Sequence, residues 1–145
     1  MATRSRIGIE LSDGSVLSVY HHWDGYPEWL GRILKTHYNA KSLAEELIDG
    51  GDMSSCWTDE RWGPNTHNGS QHSKDHEYGP QYYSQRGDDC PPRLDKDLCE
   101  YLLPDNSEEY AYLFTNGEWV CYNMHQFDDA KLPELVEIPS GALAV

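Results

Sequence analysis

The sequence predicts an α+β domain: an antiparallel sheet of about four strands, two to three helices on one face, and a long irregular middle segment. Three observations predict it. Two stretches, Arg6 to Trp23 and Glu109 to Tyr122, alternate apolar and polar residues around turn signals and read as hairpins. Between them, Pro27 to Asp49 repeat their apolar positions with helical period. Residues 52–93 then lose all periodicity among Gly-Pro, Asn-Gly and Pro-Pro dipeptides.

Each element has its own signal. Ile7, Ile9 and Leu11 share one face of a first strand, Ser12 to Ser15 form a turn, and Val16 to Trp23 return. In that return Leu17, Val19 and His21 share the apolar face, while Tyr20 and His22 lie opposite. Leu30, Ile33, Leu34 and Tyr38 form one helical stripe, and Leu43, Ala44, Leu47 and Ile48 a second. Asn39, or Ser42 with Glu45, is the expected cap of the second helix, and Gly50-Gly51 its end. Tyr82-Tyr83-Ser84 suggests a short strand. Leu94, Leu98 and Leu102 support a short helix ending before Pro104. Asn116-Gly117 joins the aromatic strands of the last hairpin, and Leu135 to Ile138 suggest an edge strand. The expected organisation is a single domain over 1–145, with a loop-rich insertion at 52–93 and a weakly structured tail at 126–145.

Composition bounds the function. The 145 residues carry a net charge of −14, and from residue 101 onward Lys131 is the one Lys or Arg. A phosphate-binding surface needs clustered positive charge, which argues against direct nucleic-acid binding. The same acidity suits docking on a basic protein, with Glu108, Glu109 and Glu118 as candidate contacts. No apolar run reaches membrane-spanning length and no signal-peptide core follows Met1, so the expected setting is cytoplasmic, without a membrane. Cys56, Cys90, Cys99 and Cys121 are scattered, as reduced thiols would be.

The chain is organised around Tyr20-His21-His22-Trp23-Asp24-Gly25-Tyr26-Pro27, which joins a strand to a helix. Gly25 gives freedom to turn, and Pro27 fits a first helical turn. A core packing role is the plain expectation for Trp23 and Tyr26, and a helix cap for Asp24. His22 and Asp24, held at a strand-to-helix corner, are also well placed to face a ligand.

Other constellations carry less. His67, His72 and His76, with Cys90, have metal-like spacing, but Asn68-Gly69-Ser70-Gln71 and Gly79-Pro80 are poor helix material, so a polar loop is expected there and no metal. Asp88-Asp89 reads as solvated. No nucleophile elbow, phosphate loop or dinucleotide fingerprint occurs, and no cofactor is expected.

Thr3-Arg4-Ser5-Arg6-Ile7-Gly8, the run from Val19 to Pro27, Gly31, His37-Tyr38 and Gly51-Asp52-Met53-Ser54-Ser55 resemble a family of small bacteriophage and prophage proteins without an assigned activity. The resemblance resumes from Glu109 to Phe114 and in the hairpin partner ending in Trp119. Family members usually carry Cys at the position of His21. They also carry a loop with two arginines where this chain has Tyr82 to Asp88, with Arg86 alone. The resemblance implies a phage origin and a host-cytoplasm setting.

The functional expectation is therefore a phage accessory protein that works by binding, engaging or inhibiting a host protein. One alternative is a binder of a small, anionic, nucleotide-like ligand. That pocket would stack on Trp23, Tyr26 and Tyr83, use Arg4 or Arg86 for the anion, and use His22 or Asp24 for polar recognition. The other alternative is a small metal-assisted hydrolase or nuclease built on His22 and Asp24.

Overall fold

The structure is a computed structural model that describes residues 3–23, 25–56, 80–87, 90–102, 108–124 and 134–139. Strand β1 (Ser5–Glu10) pairs antiparallel with β2 (Val16–His21), Ile7 opposite Val19. Gly14 turns between them with φ +87°, and the Asp13 carboxylate accepts from the Ser15 amide and hydroxyl. Those two hydrogen bonds favour the charged carboxylate and lower its pKa.

From Pro27 the chain makes one π turn (Pro27–Gly31) that runs into α1 (Arg32–His37). The Trp29 and Leu30 amides both donate to the Tyr26 carbonyl at the start of that turn. Helix α2 (Lys41–Asp49) follows and buries Ala44, Leu47 and Ile48. Its cap differs from expectation. Ala40, not Asn39 or Ser42, occupies the N-cap, and no side chain bonds there. Gly51 closes the far end with φ +87°.

The remaining strands are β3 (Met53–Cys56), β4 (Pro80–Tyr82), β5 (Arg93–Asp95), β6 (Tyr110–Thr115), β7 (Glu118–Asn123) and β8 (Glu134–Val136). The expected four-stranded antiparallel sheet is thus corrected. Seven strands lie in the order β4-β3-β2-β1-β6-β7-β8, and β5 pairs with the start of β2. The sheet is mixed: β1 runs parallel to β6, and β2 parallel to β3. The two expected hairpins do form, and they join at β1–β6 in the middle of the sheet.

The missed strands have a physical reason. The β3–β4 register shifts between Met53 and Ser55, so Met53 and Cys56 both bury toward the same core although they are three apart. That bulge erases the period of two by which a strand is read. β5 has three residues, too few to show a period, and the short strand expected at Tyr82 to Ser84 stands instead as β4 at Pro80–Tyr82, with Tyr83 and Ser84 in a 3-10 turn. Leu94, expected in a helix stripe, stands in β5 and is exposed, while α3 is only Leu98–Tyr101.

Nor do the helices keep to one face. α1 and α2 cover the face of Ile7, Ile9, Val19, Tyr112 and Phe114. On the opposite face Tyr101 and Leu102 pack with Val16, Ala111 and Leu113. Gly8 permits this, because a Cβ there would come within 2.9 Å of the Tyr101 ring. With both faces of β6 covered, Ala111 to Phe114 are all buried. All four cysteines are free thiols, and burial pushes those of Cys56 and Cys121 up to about 12.

Candidate functional site

The β2 corner is held by main-chain bonds from both sides. Past the end of β2 the chain keeps pairing with β3: the His22 amide donates to Met53 O at 3.2 Å and the Trp23 amide to Ser54 O at 2.8 Å. The Gly25 amide donates to Thr3 O at 2.9 Å, and the Tyr112 hydroxyl donates to Gly25 O at 2.7 Å. A Cβ on Gly25 would fall 2.7 Å from Thr3 O and against Ser5. Glycine is required there for close approach of two segments, rather than for the turning freedom expected.

The alternation of β2 sends the two histidines opposite ways. His21 is fully buried, with Ser5 Oγ 3.4 Å from Nδ1 and no hydrogen-bond partner for Nε2 among the described residues. Burial pushes its pKa from 6.5 down to about 3, and the neighbouring His22 adds to the shift. His22 emerges on the other face, half-buried, with Nδ1 2.7 Å from the Tyr20 hydroxyl. Burial raises the Tyr20 pKa, so the phenol keeps its proton while its hydroxyl shares this hydrogen bond with the imidazole.

Trp23 stands edge-on to His22, with centroids 4.8 Å apart and planes at 88°. It is 46% exposed, so the core role expected for it is corrected. The Tyr20 amide donates to Asp52 Oδ1 at 2.8 Å, and the Asp52 carbonyl accepts from the Tyr83 amide at 3.1 Å. Tyr83 opens a 3-10 turn, Tyr83–Arg86. Arg4 is exposed, and its charge opposes the upward shift of Tyr20, to which Tyr83, Glu108 and Asp52 contribute. These interactions place Arg4, Asp52 and Tyr83 within electrostatic reach of Tyr20.

Of the expected site residues, the structure therefore brings Arg4, His22, Trp23 and Tyr83 to one end of β2. Tyr26 is half-buried at the start of the π turn, where its carbonyl anchors the helix. Arg86 ends the 3-10 turn. Asp24 lies outside the described residues, as do His67, His72, His76, Asp88 and Asp89. Tyr20 and Asp52 join the cluster without having been expected in it. Tyr20 could have been found from its parity with His22. Asp52 reaches Tyr20 across 32 residues, and no local pattern reports that.

The arrangement can present a fixed aromatic edge and a polar imidazole nitrogen beside one cation. Among the described residues no group of three His, Cys, Asp or Glu could hold a metal ion, and no helix is long and apolar enough to cross a membrane. No protein-family model, curated protein or solved structure matches this chain.

Proposed function

We propose that the chain is a phage accessory protein that works by binding a host protein, with Trp23 as the anchor of the contact. The observation that carries this reading is that Trp23 is largely exposed yet held in place. His22 packs on it, Tyr20 bonds His22, and Asp52 bonds the Tyr20 main chain. An exposed tryptophan that is already positioned loses little freedom on binding, and tryptophan is among the residues that most often dominate interface energy. A net charge of −14 favours a basic partner. The phage and host setting rests on the resemblance of the N-terminal segment.

Affinity capture from infected cells, followed by binding of the purified partner, tests the reading. Trp23→Ala should weaken the partner by about tenfold or more, while its melting temperature stays within a few degrees of wild type. Equal binding by Trp23→Ala would remove the anchor and the reading with it. The exposed Arg4, whose charge is felt at Tyr20, favours a second reading, a small anionic ligand with an aromatic ring stacked on Trp23 or Tyr83. Calorimetry with purine nucleotides separates the two: saturable binding abolished by both Trp23→Ala and Arg4→Ala would select the small ligand.

A further inference from the structure

The end of the sheet opposite Trp23 holds a cleft produced by the topology itself. β1 and β6 are parallel neighbours, but β1 turns away toward β2 on one side and β6 toward β7 on the other. Divergence of two connections from adjacent carboxyl ends leaves a crevice, the position at which sheets with parallel strands commonly hold ligands. Here residues 9–12, 39–41 and 114–117 line a cleft of about 560 Å³. That volume falls in the range of small-molecule sites.

Its lining sorts into two kinds. Half-buried Leu11 and the edge of Phe114, which pairs in register with buried Ile9, give it an apolar floor. On the rim, the Glu10 carboxylate already accepts from Thr115 Oγ1 at 2.9 Å. Lys41 is exposed and has no ion-pair partner among the described residues. It is also the first residue of α2, whose N-cap Ala40 supplies no side-chain acceptor, so the Lys41, Ser42 and Leu43 amides lack an intrahelical partner.

We propose that this cleft binds a small organic anion, its charged group meeting Lys41 at the cleft rim and its apolar body lying on Leu11 and Phe114. The site is separate from the Trp23 end, so it stands or falls independently of the host-partner reading.

Titration of the isotope-labelled full chain with three probes tests it: 3-phenylpropionate, its neutral amide, and phenethylamine. The carboxylate should give saturable amide shifts at Lys41 to Leu43 and at Asn116 and Gly117, with an affinity in the millimolar range. The amide and the amine should not. Lys41→Met should weaken the carboxylate by about tenfold. Ala40→Ser offers the α2 amides an internal cap, so it should raise the melting temperature and weaken the carboxylate together. Trp23→Ala should leave the titration unchanged. Equal shifts from all three probes, shifts elsewhere or without saturation, or unchanged affinity in Lys41→Met would each overturn the proposal.

Discussion

At the scale of single residues, the neutral imidazole of His21 makes acid a weak point of this fold. Its folded pKa of about 3 lies below the ordinary 6.5 because burial disfavours the charged ring. Between those values the unfolded chain binds a proton that the folded chain does not. The stability present above pH 6.5 is therefore lost as pH falls toward 3, at roughly 1.4 kcal/mol per pH unit from this one group. Urea unfolding at pH 7 and pH 5 should show the loss, and His21→Met should be less sensitive to the same change; equal pH sensitivity in the two proteins would assign it elsewhere. Tyr20→Phe removes only the hydroxyl that positions His22. It should cost about 1 kcal/mol or less of stability and weaken the partner, which paired melting and binding measurements would check. The opposite fates of His21 and His22 were legible in the alternation of Val16 to Trp23, because one residue of sequence reverses the face in a strand. The exposure of Trp23 was not. It follows from the chain parting from β1 after His21 while pairing on with β3, and a bulged β3 is not visible as a strand.

At the scale of elements, what the sequence disclosed depended on how locally each element is held. The β6–β7 hairpin was legible because Asn116 and Gly117 both adopt positive φ, 52° and 81°, as a tight hairpin turn demands. The stripes of α1 and α2 were legible for a similar reason, each face repeating within a few residues. The N-cap of α2 was not, since Ala40 carries no capping group to announce it. Parallel pairing of β1 with β6 was also hidden, because neither strand records the direction of a neighbour so distant in sequence. The end of α2 offers a test of how closely these elements fit. A Cβ on Gly50 would overlap the Tyr82 ring, whose hydroxyl donates to Leu47 O at 2.6 Å. Gly50→Ala should therefore displace that ring and cost roughly 1–3 kcal/mol, against about 1 kcal/mol for Tyr82→Phe, in denaturant unfolding. If Gly50→Ala proved neutral, the packing of β4 on α2 would be looser than the contact implies.

At the scale of the whole molecule, charge and topology matter most. The acids expected to dock a basic partner do not form one surface. Glu118 is exposed, whereas Glu108 is buried 4.0 Å from Arg6, which also donates to Ser18 Oγ at 3.0 Å. Glu108→Lys should therefore unfold the protein, losing about 3 kcal/mol or more, while Glu118→Lys should fold and lower the association rate in stopped-flow mixing with the partner. Salt should slow that association in the wild type, and salt-independent rates would remove steering by charge. The parallel pair at the sheet centre has a further consequence, for the order of folding during synthesis. Glu10 and Thr115, whose side chains meet across this pair, are 105 residues apart, so β1 gains its second neighbour only after the residues of β6 have left the ribosome. Closing so long a loop is slow relative to forming a hairpin. Until it closes, the strand carrying Ile7 and Ile9 has an open edge, on which strands of other nascent chains can add. The middle of this sheet is therefore built later than the β1–β2 hairpin beside it.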